Sequence, residues 1–339
     1  MEGVVVRQNQ SFAAPQRGFP SEKGGEDMRL KFLGVLVVAS LFAALYASSG
    51  FAAVSVFATG TNSPETITQT ASGNFFVTDA DALGDIWNVP AAGGPASSVA
   101  QAGFTLRGGL ILPGSFGSVG GQFLVTGVGA PDTSGLASTM DASFTVTPYT
   151  QKKKAIWTQP VLAPSFGSFS GDVLVTNQGA SKKPFTGSVD SITPSGAVGR
   201  LATLSSVNTP FGAALAPSGF GSVGGTLLVS DAAGSGIYSV DSNGKVSQFA
   251  TIPLSTGQSG LRQIAFAPTT GWGVGNGKLF VSLNNGAIDV VNGAGSVVGS
   301  ISGTFSPRGL LFTTSGSPTL LFSDISTGNI LEAGPSDVH

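Results

Sequence analysis

Cysteine is absent from this chain, and histidine occurs once, as the final residue His339. Without thiols there is no disulfide, no thiolate zinc site, no redox pair and no cysteine nucleophile. A lone histidine at the extreme end, where disorder is expected, excludes a Ser-His-Asp triad, a histidine general base and a histidine metal centre. Charge is scarce as well: charged residues form 10% of the chain, which argues against long surface helices with their Glu, Lys and Arg faces. A net charge of -2 gives no basic footprint, so nucleic acid is not an expected partner. The run Lys152, Lys153 and Lys154 reads as a solvated hairpin tip.

Glycine (50) and proline (19) are abundant, and the hydrophobic share of 41% is ample for a core. Short apolar runs separated by Gly, Pro, Ser and Thr describe many short strands joined by turns. The start of the chain follows a different plan. Residues 28–52 carry basic Arg29 and Lys31, then an uncharged apolar stretch over 32–46, then small residues including Gly50 and Ala52. This is the layout of a secretory signal peptide, with cleavage expected after Ala52 or near Ser49. An uncleaved anchor is the alternative, although the stretch is short for a spanning helix. Residues 1–27 read as a non-native or disordered extension ahead of Met28, and residues 53–339 as the mature chain, secreted or periplasmic and monomeric.

Within 53–339 one strand core recurs: Phe76-Val77-Thr78-Asp79, Leu124-Val125-Thr126-Gly127, Leu174-Val175-Thr176-Asn177, Leu228-Val229-Ser230-Asp231, Phe280-Val281-Ser282-Leu283 and Leu321-Phe322-Ser323-Asp324. Measured from Val77 through Val125, Val175, Val229, Val281 and Phe322, the intervals are 48, 50, 54, 52 and 41 residues. Self-similarity of that period in β-type sequence is the mark of propeller blades. Ahead of the cores lie continuously apolar runs such as Gly109-Leu110-Ile111-Leu112-Pro113 and Ile264-Ala265-Phe266-Ala267-Pro268, the pattern of innermost strands buried on both faces. Cassettes such as Ser115-Phe116-Gly117-Ser118-Val119-Gly120-Gly121 join the two. Their glycines suit tight turns with positive φ. No Lys-Ser/Thr follows them, and the setting is strand-turn-strand, which excludes a phosphate loop. The fold class is therefore all-β, a six-bladed β-propeller. Blade six lacks an outer strand at the end of the chain, so Val54-Ser55-Val56-Phe57-Ala58 is expected to close the ring from the N-terminus. Blade two is expected to carry a long polar loop from Gly129 to Asp141 before Phe144-Thr145-Val146.

The text Pro64-Glu65-Thr66-Ile67, then Gly73-Asn74-Phe75-Phe76-Val77-Thr78-Asp79 and Gly84-Asp85-Ile86-Trp87, resembles the opening of six-bladed propellers of the gluconolactonase and senescence-marker group. The blade-four text from Phe211 to Asp241 is similar to that group and to NHL-repeat propellers. The resemblance implies a divalent cation, commonly calcium, held in the channel mouth by a glutamate together with asparagine and aspartate from later blades. Glu65 matches the glutamate. Where a Pro-Asn-Gly motif would supply the later asparagine, this chain has Pro210-Phe211-Gly212, which removes that ligand.

Residues just ahead of each inner strand converge on one mouth of a propeller's channel, where ligands bind. Here they are Glu65, Arg107, Thr158, Phe211, Arg262 and Arg308. Three arginines beside one glutamate suit a carboxylate, sulfate or phosphate, because guanidinium offers planar paired donors. The same residues are also open to reading as a self-paired structural plug. Asp79, Asp231 and Asp324 either join Glu65 as oxygen ligands for calcium or cap turns by accepting backbone N–H bonds. Trp87, Trp157 and Trp272 are expected to pack blades, with Trp157 within reach of the mouth. The main reading is an exported binding or interaction module, rather than an enzyme, for an anionic small molecule, an extracellular protein or a glycan, with no cofactor expected. The alternatives are a calcium-dependent lactonase-like hydrolase with Glu65 as metal ligand, and a structural envelope protein without a ligand.

Overall fold

The computed structural model describes residues 54–129, 133–179, 186–314 and 316–339. The expected extension 1–27 and signal segment 28–52 lie outside the described residues. Six antiparallel sheets form the ring of a six-bladed β-propeller. Their innermost strands are Pro64–Gln69, Thr105–Ile111, Trp157–Leu162, Pro210–Leu215, Leu261–Phe266 and Pro307–Phe312. The recurring sequence cores become the second strands. In blades three to six these strands are buried at every position, as expected for strands covered by neighbouring blades on both faces. Outermost strands such as Val246–Thr251 and Val297–Ser302 bury few side chains. The core is divided accordingly into six apolar clusters, one between each pair of adjacent blades.

Ring closure follows the expected route. Ser55–Thr59 pairs antiparallel with Asn329–Ala333 of blade six, and the Ser55 hydroxyl donates to Glu332 Oε1 at 2.8 Å. The same strand continues into a short parallel pairing with Gly94–Pro95 of blade one, so it ties the first blade to the last. His339, expected to be disordered, instead exchanges backbone bonds with Ser300 on the outer edge of blade five. Blade two also departs from expectation. The stretch expected to be a polar loop contains its third strand, Ser134–Met140, which pairs with both Phe123–Gly129 and Val146–Lys152. Alternating small residues there, Ser134-Gly135-Leu136-Ala137-Ser138, gave too weak an apolar signal to read as a strand. Phe144 takes a positive φ of 64 in the turn that follows.

Among the described residues no helix is long and apolar enough to cross a membrane.

Candidate functional site

All six residues named for the mouth sit at the same irregularity. In each inner strand the ladder register slips, between Pro64 and Thr66, Leu106 and Gly108, Trp157 and Pro160, Pro210 and Ala213, Leu261 and Ile264, and Pro307 and Leu310. Glu65, Arg107, Thr158, Phe211, Arg262 and Arg308 are thus bulge residues. A β-bulge takes a side chain out of the regular alternation and re-aims it. Glycine follows the bulge in blades two, four and six. A Cβ on Gly108, Gly212 or Gly309 would collide with the carbonyl oxygen of Thr158, Arg262 or Glu65 on the next blade, so these glycines permit the close approach of neighbouring inner strands.

The bulges are held from outside by hydroxyls of the second strands. Thr176 Oγ1 donates to the Phe211 carbonyl at 2.7 Å, Ser282 Oγ to that of Arg308 at 2.9 Å and Ser323 Oγ to that of Glu65 at 3.4 Å. Thr126 and Ser230 reach the carbonyls of Thr158 and Arg262 in the same way. Each hydroxyl comes from the blade before the residue it holds. These positioning residues were not singled out from the sequence, although the Ser or Thr third in each recurring core carried the signal.

Five of the six side chains are linked in one charged cluster. Glu65 is 2% exposed and accepts from Arg107 Nη1 at 2.8 Å through Oε1, while its Oε2 is buried without a partner. The Arg262 guanidinium lies 5.3 Å from the Phe211 ring centroid and donates from Nε and Nη2 to Asn284 Oδ1 at 3.2 and 3.1 Å. Burial, with the nearby charges of Arg308 and Arg107 and against that of Glu65, pushes Arg262 down to about 10, so it remains protonated at neutral pH. Burial also lowers Arg308, where Glu65 opposes the shift and Arg107 adds to it; Arg308 Nε is buried and has no hydrogen-bond partner. Thr158 stands apart. It is completely buried, and its hydroxyl is spent on Thr176 at 2.6 Å and the Phe211 carbonyl at 2.9 Å. Asn284 was missed because blade five ends its core in Leu283, where three other blades have aspartate, and the polar residue falls one position later.

Asp79, Asp231 and Asp324 act as caps. They accept backbone N–H bonds from Asn62 and Ser63, from Asn208, Thr209 and Ala233, and from Ser306 and Ser326. The first members of each set lie in the loop entering the inner strand, so the caps fix where the bulge begins. Trp157 does not reach the mouth: it is buried and donates from Nε1 to Asp190 Oδ2 at 3.0 Å. Lys152, expected at a solvated tip, bonds the other oxygen of Asp190 at 2.6 Å.

Calcium takes six to eight oxygen ligands. The mouth offers one carboxylate among three guanidiniums, and its one hydroxyl is already engaged. Among the described residues no group of three or more His, Cys, Asp or Glu side chains could hold a metal ion. These residues do not fit a divalent cation.

The fold is that of a six-bladed β-propeller whose inner-strand bulges bring Glu65, Arg107, Arg262 and Arg308 within electrostatic range of one another. Similar solved structures include a gluconolactonase from Xanthomonas campestris (16% identity, TM-score 0.63, covering 86% of this chain and 92% of that one). A calcium-binding regucalcin from Agrobacterium tumefaciens matches at 14% identity and a TM-score of 0.59, over 83% of this chain and 95% of its own. Virginiamycin B lyase from Staphylococcus aureus follows at 13% identity and a TM-score of 0.52, over 80% and 94%. At such identities the likeness is one of fold. No protein-family model and no curated protein matches the chain.

Proposed function

We propose that this propeller is a binding module whose channel mouth takes a small anionic ligand. The observation that supports it is the state of Arg262 and Arg308: both are half-buried, Nε of Arg308 has no hydrogen-bond partner, and among the described residues neither forms an ion pair, since Glu65 engages Arg107. Half-buried guanidiniums outside an ion pair gain from an oxyanion part of what they have lost in hydration. Titration calorimetry with phosphate, sulfate and acetate as probe anions tests the reading. Arg262→Ala should weaken binding about tenfold, the worth of a charged hydrogen bond; unchanged affinity for every probe retires the proposal.

The second reading, a calcium-dependent hydrolase of lactones, draws support from the gluconolactonase among the fold neighbours. A metal that binds only the folded state raises the melting temperature. Thermal unfolding with and without millimolar calcium separates the readings: a clear upward shift favours the hydrolase and none favours the anion site. Export through residues 28–52 belongs to the same proposal, and N-terminal sequencing of the protein recovered outside the cytoplasm checks it.

A further inference from the structure

The anion reading leaves open which anion, and the mouth's unused atoms narrow the choice; the inference below rests on that reading. Three guanidiniums against one carboxylate leave two positive charges. Oε2 of Glu65 is a buried acceptor without a partner, and Nε of Arg308 is a buried donor without one. Buried polar groups are satisfied in native proteins, and each open one carries a desolvation cost that a fitting ligand removes. A ligand that completes this mouth therefore brings about two negative charges, acceptor oxygens for Arg262 and Arg308, and one hydrogen-bond donor for Glu65.

These requirements discriminate among common anions. A monocarboxylate brings a single charge and no donor. An ammonium-bearing zwitterion supplies a donor, but places a cation among three guanidiniums. Sulfate has the charge and the tetrahedral oxygens and, being fully ionised at neutral pH, no proton to give. Monohydrogen phosphate has the same charge and shape plus one O–H. We propose that the mouth binds inorganic monohydrogen phosphate in preference to sulfate, its O–H donating to Glu65 Oε2 while Arg262 and Arg308 donate to its other oxygens.

The test is calorimetric titration of the full chain with inorganic phosphate and with sulfate, in wild type and in Glu65→Gln. Wild type should bind phosphate at least about tenfold more tightly than sulfate. In Glu65→Gln the side-chain amide can donate where the carboxylate only accepted, so that ratio should shrink by roughly tenfold or reverse. Circular dichroism melting establishes that the variant is folded, and if it is not, the wild-type ratio alone decides. Equal affinities in wild type overturn the inference and leave the anion site standing, with water serving Oε2. A phosphate preference that survives Glu65→Gln unchanged also overturns it. Binding of neither anion overturns both this inference and the reading beneath it.

Discussion

At the scale of single residues, the structure turns on hydroxyls whose importance the sequence hides in plain repetition. Thr176 is completely buried, and its Oγ1 contacts the Phe211 carbonyl, the Gln159 amide at 3.2 Å and the Thr158 hydroxyl. It joins blade three to blade four at the level of the mouth. Thr176→Val keeps the shape but takes the acceptor from the Gln159 amide and leaves the Phe211 carbonyl with the Thr158 hydroxyl alone, in an interior that water does not reach. The expected cost is about 2 kcal/mol, the desolvation of buried groups left unpaired. Urea unfolding should show a lower midpoint with an unchanged slope; a loss below about 0.5 kcal/mol would mean that carbonyl and amide find other partners. The six bulge positions could be marked from the repeat, Arg107, Thr158, Phe211 and Arg262 by standing six residues ahead of a recurring proline and Glu65 and Arg308 by their place before the first and last inner strands. What their side chains do was legible only where charge decided it. Glu65 met Arg107 as a carboxylate and a guanidinium in one small mouth will. Thr158 looked equivalent in position, yet a short hydroxyl beside Thr176 is satisfied sideways and never turns to the channel.

At the scale of elements, the recurring Phe-Gly-Ser cassette is more than a turn. It forms short 3-10 turns at Gly117–Val119, Gly167–Phe169 and Gly221–Val223, with Phe116, Phe166 and Phe220 buried beneath them. Blade five uses the same device with Trp272 in place of the phenylalanine, ahead of Gly273–Gly275. Two glycines in this series separate conformational strain from contact. Gly221 and Gly273 have φ of +54 and +53, but a Cβ on Gly221 would collide with the Gly293 carbonyl on the neighbouring blade, whereas one on Gly273 meets nothing within 4 Å. Gly273→Ala should therefore cost only the left-handed backbone penalty, about 1 kcal/mol. Gly221→Ala should cost that plus separation of the blades, at least about 3 kcal/mol. Equal losses in thermal unfolding would show that blade contact at the cassette contributes nothing. The cassette was readable as a turn from its glycines. Its blade-to-blade contact was not, because the partner, Gly293, lies in an Asn292-Gly293-Ala294 turn with no side-chain signal of its own.

At the scale of the whole molecule, the ring is held by one seam. The other five blades are continuous in sequence, while blade six takes its outer strand from Ser55–Thr59. The period of the repeat and the shortage of strands after Ala333 made this closure legible. The parallel contact with Gly94–Pro95 was not, since two residues carry no periodicity. Ala58 is buried in the cluster shared by blades six and one, and the strand covers the edge of Asn329–Ala333. Removing residues through Thr59 should do two things at once. It should lower the melting temperature by at least about 5 °C, because a few kcal/mol of pairing and burial are lost. It should also leave Asn329–Ala333 as an open edge that recruits other chains, so the truncated protein should elute from a sizing column as oligomers. A synthetic peptide covering residues 54–60 should re-pair with that edge by strand addition, restoring both the elution position and the melting temperature of the full chain. A truncated chain that elutes and melts where the full chain does would show that the propeller is sealed by packing between its blades, and that the seam merely decorates it.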